Sequence, residues 1–230
     1  MGRSHPSFSP KQAPAAAVEL SRLPTDQVLY VASRMVDYIE PGPEAMELLV
    51  TVLGKRHREP GVAELLQKIT RKDPATHFKA IGKAALILTA NGNPAYTTDI
   101  FRFMLHRNSQ LAPIKRAIID TLARNPARLS HPAAGTTLAA VLHEQESPDL
   151  AASASHALGK IRTPQARDAL AASPLFSAAD AKLRMRALWD LGHHPAPYPP
   201  KAVEALRRLA EDLDPQVKAK ARELLSRKPG

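Results

Sequence analysis

Two pairs of adjacent residues carry the side chains best suited to chemistry. Trp189 precedes Asp190, so that an aromatic ring and a carboxylate could flank a cationic base. His193 and His194 precede Pro195, which places both imidazoles in a loop. Adjacent residues rarely face one metal ion, and the nine histidines include no i, i+4 pair. We therefore interpret the histidine pair as a polar turn and predict no metal site.

Other catalytic signatures are missing from the sequence. It contains no glycine-rich phosphate loop and no G-x-S-x-G nucleophile motif. The chain has no cysteine, which excludes thiol catalysis, disulfides and cysteine metal sites. We predict that the protein is not an enzyme and needs no cofactor. Its net charge of +10 favours acidic protein surfaces, nucleic acid or anionic membranes as partners.

The elements that would position these side chains are short helices. Hydrophobic residues make up 44% of the chain but aromatic residues only 4%, a composition typical of closely packed helices. The clearest helix begins at Pro148, a residue suited to the first helical turn. Leu150, Ala154 and Leu158 form its apolar stripe, and Gly159 is its predicted stop.

This helix is one copy of a repeated segment. Its template matches the chain six times, and the last leucines of the stripes are 33 to 36 residues apart. These leucines are Leu53, Leu88, Leu122, Leu158, Leu191 and Leu225. Four residues earlier stand Leu49, Ala84, Ile118, Ala154, Ala187 and Ala221. A period between roughly 20 and 50 residues indicates stacked supersecondary units. We call these segments the second helices and count offsets from their start, so that Pro148 has offset 0.

A first helix precedes each second helix. We predict the earliest at Thr25–Glu40, capped by Thr25 and Asp26. The others are predicted at about Val62–Ile69, Pro94–His106, Pro132–His143, Pro164–Ala172 and Pro200–Glu211. Neither helix of a pair can bury its stripe alone, so neighbouring pairs must stack. The sequence thus predicts an all-α fold, an α-solenoid of about six helix pairs in a single domain over residues 14–230.

The later repeats resemble HEAT repeats, especially the short bacterial HEAT-like or PBS-lyase type. Residues 214–218, with the sequence Asp-Pro-Gln-Val-Lys, precede Ala221 and Leu224 in a pattern similar to the second helix of that family. The run Leu150–Gly159 and the loop that ends before Pro164 resemble it too. The resemblance is strong over residues 148–227.

This resemblance implies a curved scaffold that binds proteins or peptides. Some members of the family bind nucleic acid, one branch comprises alkylpurine DNA glycosylases, and another acts on bilin chromophores. Because one fold serves several activities, the resemblance leaves the function open.

The family places its second helices on the concave side, which makes their exposed face the predicted binding surface. Offsets 1, 5, 8 and 12 share that face by the helical period. Basic residues predominate there, which predicts an acidic protein or peptide as the partner. The predicted binding residues are Lys79, Lys83, Arg124, His156, Lys160, Lys182, Arg186, Trp189, His193 and Lys220. The basic residues at offset 12 also have a purely structural explanation. A cation in the last turn of a helix interacts favourably with the helix dipole and stabilises the helix by about 0.3–1 kcal/mol.

Trp189, the only tryptophan, has three interpretations. It lies between Arg186 and His193, and an exposed aromatic ring beside basic residues is typical of an interface hot spot. The second interpretation packs the ring into the core between repeats. The third pairs it with Asp190 as in the glycosylases, although those enzymes use several aromatic residues on a cleft.

Together these patterns favour a non-enzymatic scaffold or adaptor, with nucleic-acid binding as the alternative. The densest basic run, residues 55–58, would suit a phosphate backbone. No run reaches the roughly 18 apolar residues that span a bilayer. Residues 1–13 lack the apolar segment of a secretory signal, and we interpret them as a flexible leader. We expect a cytoplasmic protein, or a periplasmic one if a preceding segment had been removed.

Overall fold

All regular elements of the described residues are helices in the computed structural model. The structure describes residues 13–39, 42–106, 108–124, 129–144 and 147–227. Within these ranges the α-helices are α1 (Ala13–Arg22), α2 (Thr25–Arg34), α3 (Pro43–Lys55), α4 (Val62–Thr70), α5 (Pro74–Asn91), α6 (Thr97–Met104), α7 (Ala112–Arg124), α8 (Ala133–Glu144), α9 (Pro148–Lys160), α10 (Pro164–Ala171), α11 (Ala181–Gly192), α12 (Pro200–Leu209) and α13 (Pro215–Ser226). The predicted all-α fold is confirmed.

The predicted helix pairs correspond closely to these elements. The second helices are α3, α5, α7, α9, α11 and α13, and the first helices are α2, α4, α6, α8, α10 and α12. Short 3-10 helices at Pro94–Tyr96, Ser109–Leu111 and Pro174–Ser177 precede α6, α7 and α11. The apolar pattern does not predict α1, which carries no stripe of the repeated kind.

The first predicted helix differs from expectation at both ends. Thr25 lies inside α2 and does not cap it, because its hydroxyl contacts Glu59 and accepts a 2.8 Å hydrogen bond from Arg56. At Met35 the α-helix gives way to a π-helical turn that ends at Ile39. The predicted terminus, Glu40, lies outside the described residues.

Side-chain caps explain where several helices begin. Ser147 Oγ accepts a 3.1 Å hydrogen bond from the backbone of Leu150, and Pro148 occupies the first turn of α9. The Asp214 carboxylate accepts from the backbone of Gln216 and Val217, at 2.9 and 3.0 Å. These bonds satisfy donors that the helix itself leaves free, which is why Ser-Pro and Asp-Pro mark the starts.

The chain divides into two compact units, residues 1–103 and 104–230. In the first unit, α3 packs against α1 and α5, and α4 packs against α2 and α5. In the second unit, α7, α9, α11 and α13 pack one against the next, and α8, α10 and α12 form an adjoining row. The single domain over residues 14–230 and its solenoid form stay predictions. The predicted leader, residues 1–13, lies outside the described residues except for Ala13.

The apolar stripes form the core of the units. The middle residue of the stripe is at most 1% exposed in all six second helices, as Leu49 and Ala154 illustrate. The last repeat departs from the prediction, because Leu224 is 1% exposed whereas Leu225 is 36% exposed. The reason is that α13 packs against α11 and α12, and Leu224 is the residue that faces them.

Candidate functional site

Trp189 lies on the surface of the second unit. The residue is 53% exposed, so the interpretation that packs its ring into the core is wrong. The ammonium of Lys220 on α13 lies 4.0 Å from the centroid of this ring. A cation at that distance is attracted by the ring face, typically by about 0.5–1 kcal/mol at exposed sites. Trp189 therefore links α11 to α13 and still leaves part of its ring in solvent.

Lys220 is buried and its charge is compensated. It is 8% exposed, and its Nζ donates to both carboxylate oxygens of Glu223 at 2.7 and 2.9 Å. Hydrogen bonds from Lys220 and Arg227 lower the pKa of the Glu223 carboxyl below its ordinary value. Lys220 thus orients Trp189 and is not a free cation for a partner.

Asp190 is enclosed between α9 and α11. It is 1% exposed, accepts hydrogen bonds from Ser155 Oγ at 2.7 Å and Arg186 Nε at 3.1 Å, and lies 3.4 Å from His156 Nδ1. Three polar partners match the needs of a buried carboxylate. This enclosure argues against the glycosylase interpretation, because the carboxylate does not face a space where a base could lie.

Gly159 makes this close packing feasible. The helix α9 continues through Lys160, so the predicted stop at Gly159 is wrong. A Cβ added to Gly159 would lie 3.1 Å from the carbonyl oxygen and 3.2 Å from the Cα of Asp190. Only a residue without a side chain lets α11 approach α9 so closely, and that approach brings Asp190 to Ser155 and His156.

Two of the cations at offset 12 contact the end of the preceding second helix. Lys160 Nζ donates to the carbonyl oxygen of Ala123 at 2.7 Å, and Arg227 Nη1 donates to that of Gly192 at 2.7 Å. At the same offset, His193 Nδ1 lies 2.8 Å from the carbonyl oxygen of Trp189 in its own helix. These residues satisfy helix carbonyls that would otherwise lack a partner.

The remaining predicted binding residues divide into paired and unpaired cations. In the first unit, Lys83 forms an ion pair with Glu47, and the exposed Lys79 lies 5.9 Å from the Phe78 ring centroid. In the second unit, Arg124 and Lys182 are exposed, and neither side chain has a hydrogen-bond or ionic partner among the described residues.

The predicted site is therefore only partly assembled. His156, Arg186, Trp189, His193 and Lys220 come together around α11, through Asp190 and through the tryptophan. Most of these side chains are engaged by the protein itself, so the second-helix face offers a partner fewer free cations than its composition indicates.

A strongly basic groove lies instead between two loops of the second unit. It occupies about 510 Å³ between the start of α10 and the end of α11. Its lining residues are Arg162, Thr163, Pro164, Arg167, Gly192, His193, His194, Pro195 and Arg227. We call it the Arg162 groove. Three arginines and two histidines line it, and no carboxylate occurs among these described residues.

The equivalent junction one repeat earlier holds a second basic groove. This His131 groove occupies about 640 Å³ between the loop before α8 and the loop after α9. His131, Lys160 and Arg162 line it, together with Leu129, Ser130, Pro132, Gly135, Thr136, Ile161, Thr163 and Gln165. No carboxylate is present among these described residues either. Arg162 borders both grooves and so joins them into one basic edge.

The local sequence explains why the Arg162 groove is held open. Ile161 is 7% exposed and anchors the chain directly after α9. Thr163 Oγ1 then accepts a 3.3 Å hydrogen bond from the backbone of Ala166 and begins α10. Between these fixed points Arg162 projects from the loop as an exposed residue, with no side-chain partner among the described residues.

Two nitrogens in the Arg162 groove are buried without a partner. Arg167 Nε and His194 Nε2 are both inaccessible, and neither has a hydrogen-bond partner among the described residues. His194 is 3% exposed. Burial lowers its pKa most, a hydrogen bond with the Leu158 backbone raises it, and the charge of Arg167 lowers it further, with a net lowering. His194 is accordingly neutral at pH 7.

The sequence pattern missed the loop residues Arg162 and His194 and the α10 residue Arg167. The predicted binding face included only offsets 1 to 12 of each second helix, and these three residues lie beyond offset 12. A signal is present, because basic residues recur directly after second helices, at residues 55–58, 160–162 and 193–194. The histidine pair interpreted as a polar turn separates in the structure into an exposed His193 and a buried His194.

No protein-family model matches the chain, and no curated protein matches it. The described residues contain no group of three or more histidine and carboxylate side chains that could hold a metal ion. In the same part of the chain, no helix is both long enough and apolar enough to cross a membrane.

Proposed function

We propose that the protein is a non-enzymatic scaffold that binds an acidic protein or peptide along the basic edge of its second unit. The repeat period of 33 to 36 residues and the two rows of packed helices support a HEAT-like α-solenoid. The enclosed carboxylate of Asp190 supports a binding role over base excision.

The observation that carries this proposal is that basic residues line both grooves while their described lining holds no carboxylate. Lys83, Arg186 and Lys220 each have a carboxylate partner within the protein. By contrast, neither groove has a carboxylate among its described lining residues, and Arg162 borders both. Basic clefts without compensating acids attract acidic partners and raise their local concentration.

Trp189 supplies an apolar contact beside this charge. Arg227 lines the Arg162 groove and binds Glu223 at 2.8 Å, and Glu223 in turn holds the lysine that lies over the Trp189 ring. An acidic segment in the groove would therefore bring its neighbouring side chains toward an exposed tryptophan. Tryptophan and arginine are the residues most enriched among interface hot spots.

Charge reversal in the groove tests the proposal. The probe is a fluorescein-labelled oligoglutamate peptide, and its affinity is measured by fluorescence anisotropy. We expect Arg162→Glu with Arg167→Glu to weaken binding by tenfold or more, because two attractive charges become repulsive. The matched control is Lys201→Glu with Arg207→Glu, at exposed positions of α12 outside both grooves. Equal loss in the two variants would contradict the groove assignment.

Nucleic acid is the competing partner, because phosphate backbones also seek clefts that lack carboxylates. Duplex DNA is titrated against the same protein across a salt series, where backbone contact gives a steep fall in affinity. The exposed tryptophan, linked to the groove through Lys220, Glu223 and Arg227, favours the protein partner. DNA binding tighter than peptide binding at equal ionic strength would replace the proposed function.

A further inference from the structure

We propose that the Arg162 groove is a receptor for a phosphoryl group carried by a side chain of the bound peptide. This inference rests on the proposed function and names the chemistry that the acidic partner presents. It concerns the groove between α10 and α11, whereas the wider basic edge would accept acidic residues in general.

The charge of the groove suits an anion that carries more than one negative charge. Arg162 and Arg167 have no carboxylate partner among the described residues, whereas Glu223 compensates Arg227. Arg167 Nη1 donates only a long, 3.5 Å hydrogen bond to the carbonyl oxygen of Pro197. Two guanidinium groups without a carboxylate partner match a phosphoryl group, which carries about −1.5 to −2 charge at pH 7. Arginine also binds phosphate through two parallel hydrogen bonds, a geometry that lysine lacks.

The two unpartnered nitrogens are a second, independent indication of a ligand. Arg167 Nε and His194 Nε2 line the same groove and lack partners in the described structure. Leaving a buried polar atom without a hydrogen bond is unfavourable, and most such atoms in folded proteins are satisfied by protein, water or ligand. Both residues line the groove, so a small side-chain movement would let an oxyanion with several acceptor oxygens satisfy Arg167 Nε.

His194 favours a phosphoryl group over a carboxylate. Its ring is neutral at pH 7, because burial and the neighbouring arginines lower its pKa. A phosphate monoester has a second pKa near about 6, so it retains a proton on oxygen in part of its population near neutral pH. That hydroxyl donates a hydrogen bond to an unprotonated imidazole nitrogen, which an ionised carboxylate does not do.

Arg227 is already positioned for such a ligand. Its Nη1 donates to the Gly192 carbonyl at 2.7 Å, and its Nη2 donates to Glu223 at 2.8 Å. The guanidinium therefore loses little side-chain entropy when a ligand enters the groove. A preorganised donor contributes more to affinity than one that must be ordered on binding.

Three peptides of one acidic sequence test the inference, with serine, glutamate or phosphoserine at a central position. Affinities are measured by anisotropy, and binding of inorganic phosphate alone is followed by the fluorescence of the single tryptophan, Trp189. We expect the phosphoserine peptide to bind about tenfold more tightly than the glutamate peptide, the effect of one additional charge-assisted hydrogen bond.

Charge-conserving variants distinguish specific recognition of the phosphoryl group from general electrostatic attraction of an acidic peptide. Arg162→Lys with Arg167→Lys keeps both charges but removes the forked donors, so we expect the phosphoserine preference to vanish while the glutamate peptide still binds. Arg207→Lys on α12 is the control and should retain the preference. Circular dichroism melting curves verify that each variant is folded.

The outcomes distinguish this inference from the proposed function. If none of the peptides binds, the proposed function fails. If the glutamate and phosphoserine peptides bind equally, only the phosphoryl receptor is overturned. Inorganic phosphate that binds as tightly as the phosphopeptide would assign the groove to a free anion, and duplex DNA that outcompetes the phosphopeptide would assign it to a nucleic-acid backbone. Either result overturns the peptide-borne phosphoryl group.

Discussion

The ammonium of Lys160 donates a 2.7 Å hydrogen bond to the carbonyl of Ala123, which belongs to the preceding second helix. Arg227 makes the same contact with Gly192 two second helices further on. Carbonyls in the last turn of a helix have no intrahelical donor. Lys160 and Arg227 at offset 12 thus cap the preceding second helix, and this part of the basic pattern serves to join repeats.

Gly159→Ala should destabilise the second unit. The added Cβ would lie 3.1 to 3.2 Å from three atoms of Asp190, two of which belong to the backbone and cannot rotate away. Overpacking of this kind costs about 1–3 kcal/mol, which exceeds the gain of up to about 1 kcal/mol from replacing glycine in a helix. The measurement is the free energy of unfolding in urea.

Gly135→Ala is the matched control for that substitution. Gly135 also lies within a helix, α8, but a Cβ there would meet no atom within 4 Å. We expect stabilisation by up to about 1 kcal/mol, because alanine restricts the unfolded chain and favours the helix. Equal effects of the two substitutions would contradict the close approach of α9 and α11.

Asp190→Ala should reduce stability by about 1–3 kcal/mol, because it leaves the buried Ser155 hydroxyl and the Arg186 guanidinium without their acceptor. Asp149→Ala removes a carboxylate of the same type that pairs with Arg116 at 2.9 Å, but its side chain is 73% exposed. We expect less than about 1 kcal/mol from that control. The melting temperatures of both variants are measured by circular dichroism. Equal melting temperatures would contradict a stabilising role of the buried Asp190 carboxylate.

Arg184→Lys should destabilise the protein although it conserves charge. Arg184 binds both carboxylate oxygens of Asp212 at 2.8 Å and donates to the carbonyls of Ala178 and Ala179 at 2.8 Å. Lysine cannot reproduce this fork, and we expect a loss of about 1–3 kcal/mol in urea unfolding. Arg207→Lys, at an exposed position of α12, should change stability by less than about 0.5 kcal/mol.

His194 should make the protein less stable as the pH falls. Burial lowers its folded-state pKa below the ordinary 6.5, so the unfolded chain binds the proton first. The stabilisation is therefore complete above about pH 6.5 and is lost as the pH falls through the folded-state pKa. In melting curves between about pH 7 and about pH 5, His194→Gln should show a smaller fall than the parent protein.

His143→Gln on α8 is the control for this titration, because His143 is exposed. Its melting temperature should follow the parent protein across the pH range. A pH profile of His194→Gln that ran parallel to that of the parent would remove His194 as the source of the effect.

Much of the fold was predictable because its determinants are local in the sequence. Pro148 and Pro164 begin α9 and α10 as expected, and the middle stripe residues are buried throughout. Two local inferences were wrong for reasons of packing. Gly159 lies within α9, where it faces Asp190, and Thr25 uses its hydroxyl for Arg56 and Glu59 instead of for a helix cap.

The candidate site was less predictable, because the partners of several cations lie one repeat away. Lys83 contacts Glu47 at a separation of 36 residues, and Lys160 contacts Ala123 at a separation of 37. The spacing of residues along one helix shows which of them share a face, but it does not show which residues of the next repeat they contact. Loop residues such as Arg162 and His194 do not follow the helical period, so that period could not predict where their side chains lie.

By itself, the sequence determined the helix pairs, their period and the buried stripe, because these follow from the spacing of apolar residues and from the residues that begin helices. Only the tertiary structure decided which charges remain free. Carboxylates of their own helices pair with Lys220 and Arg186, and a helix carbonyl of the preceding repeat binds Lys160, while Arg162 and Arg167 face grooves whose described lining holds no acid. Electrostatic compensation depends on distances in space, and the folded packing sets those distances.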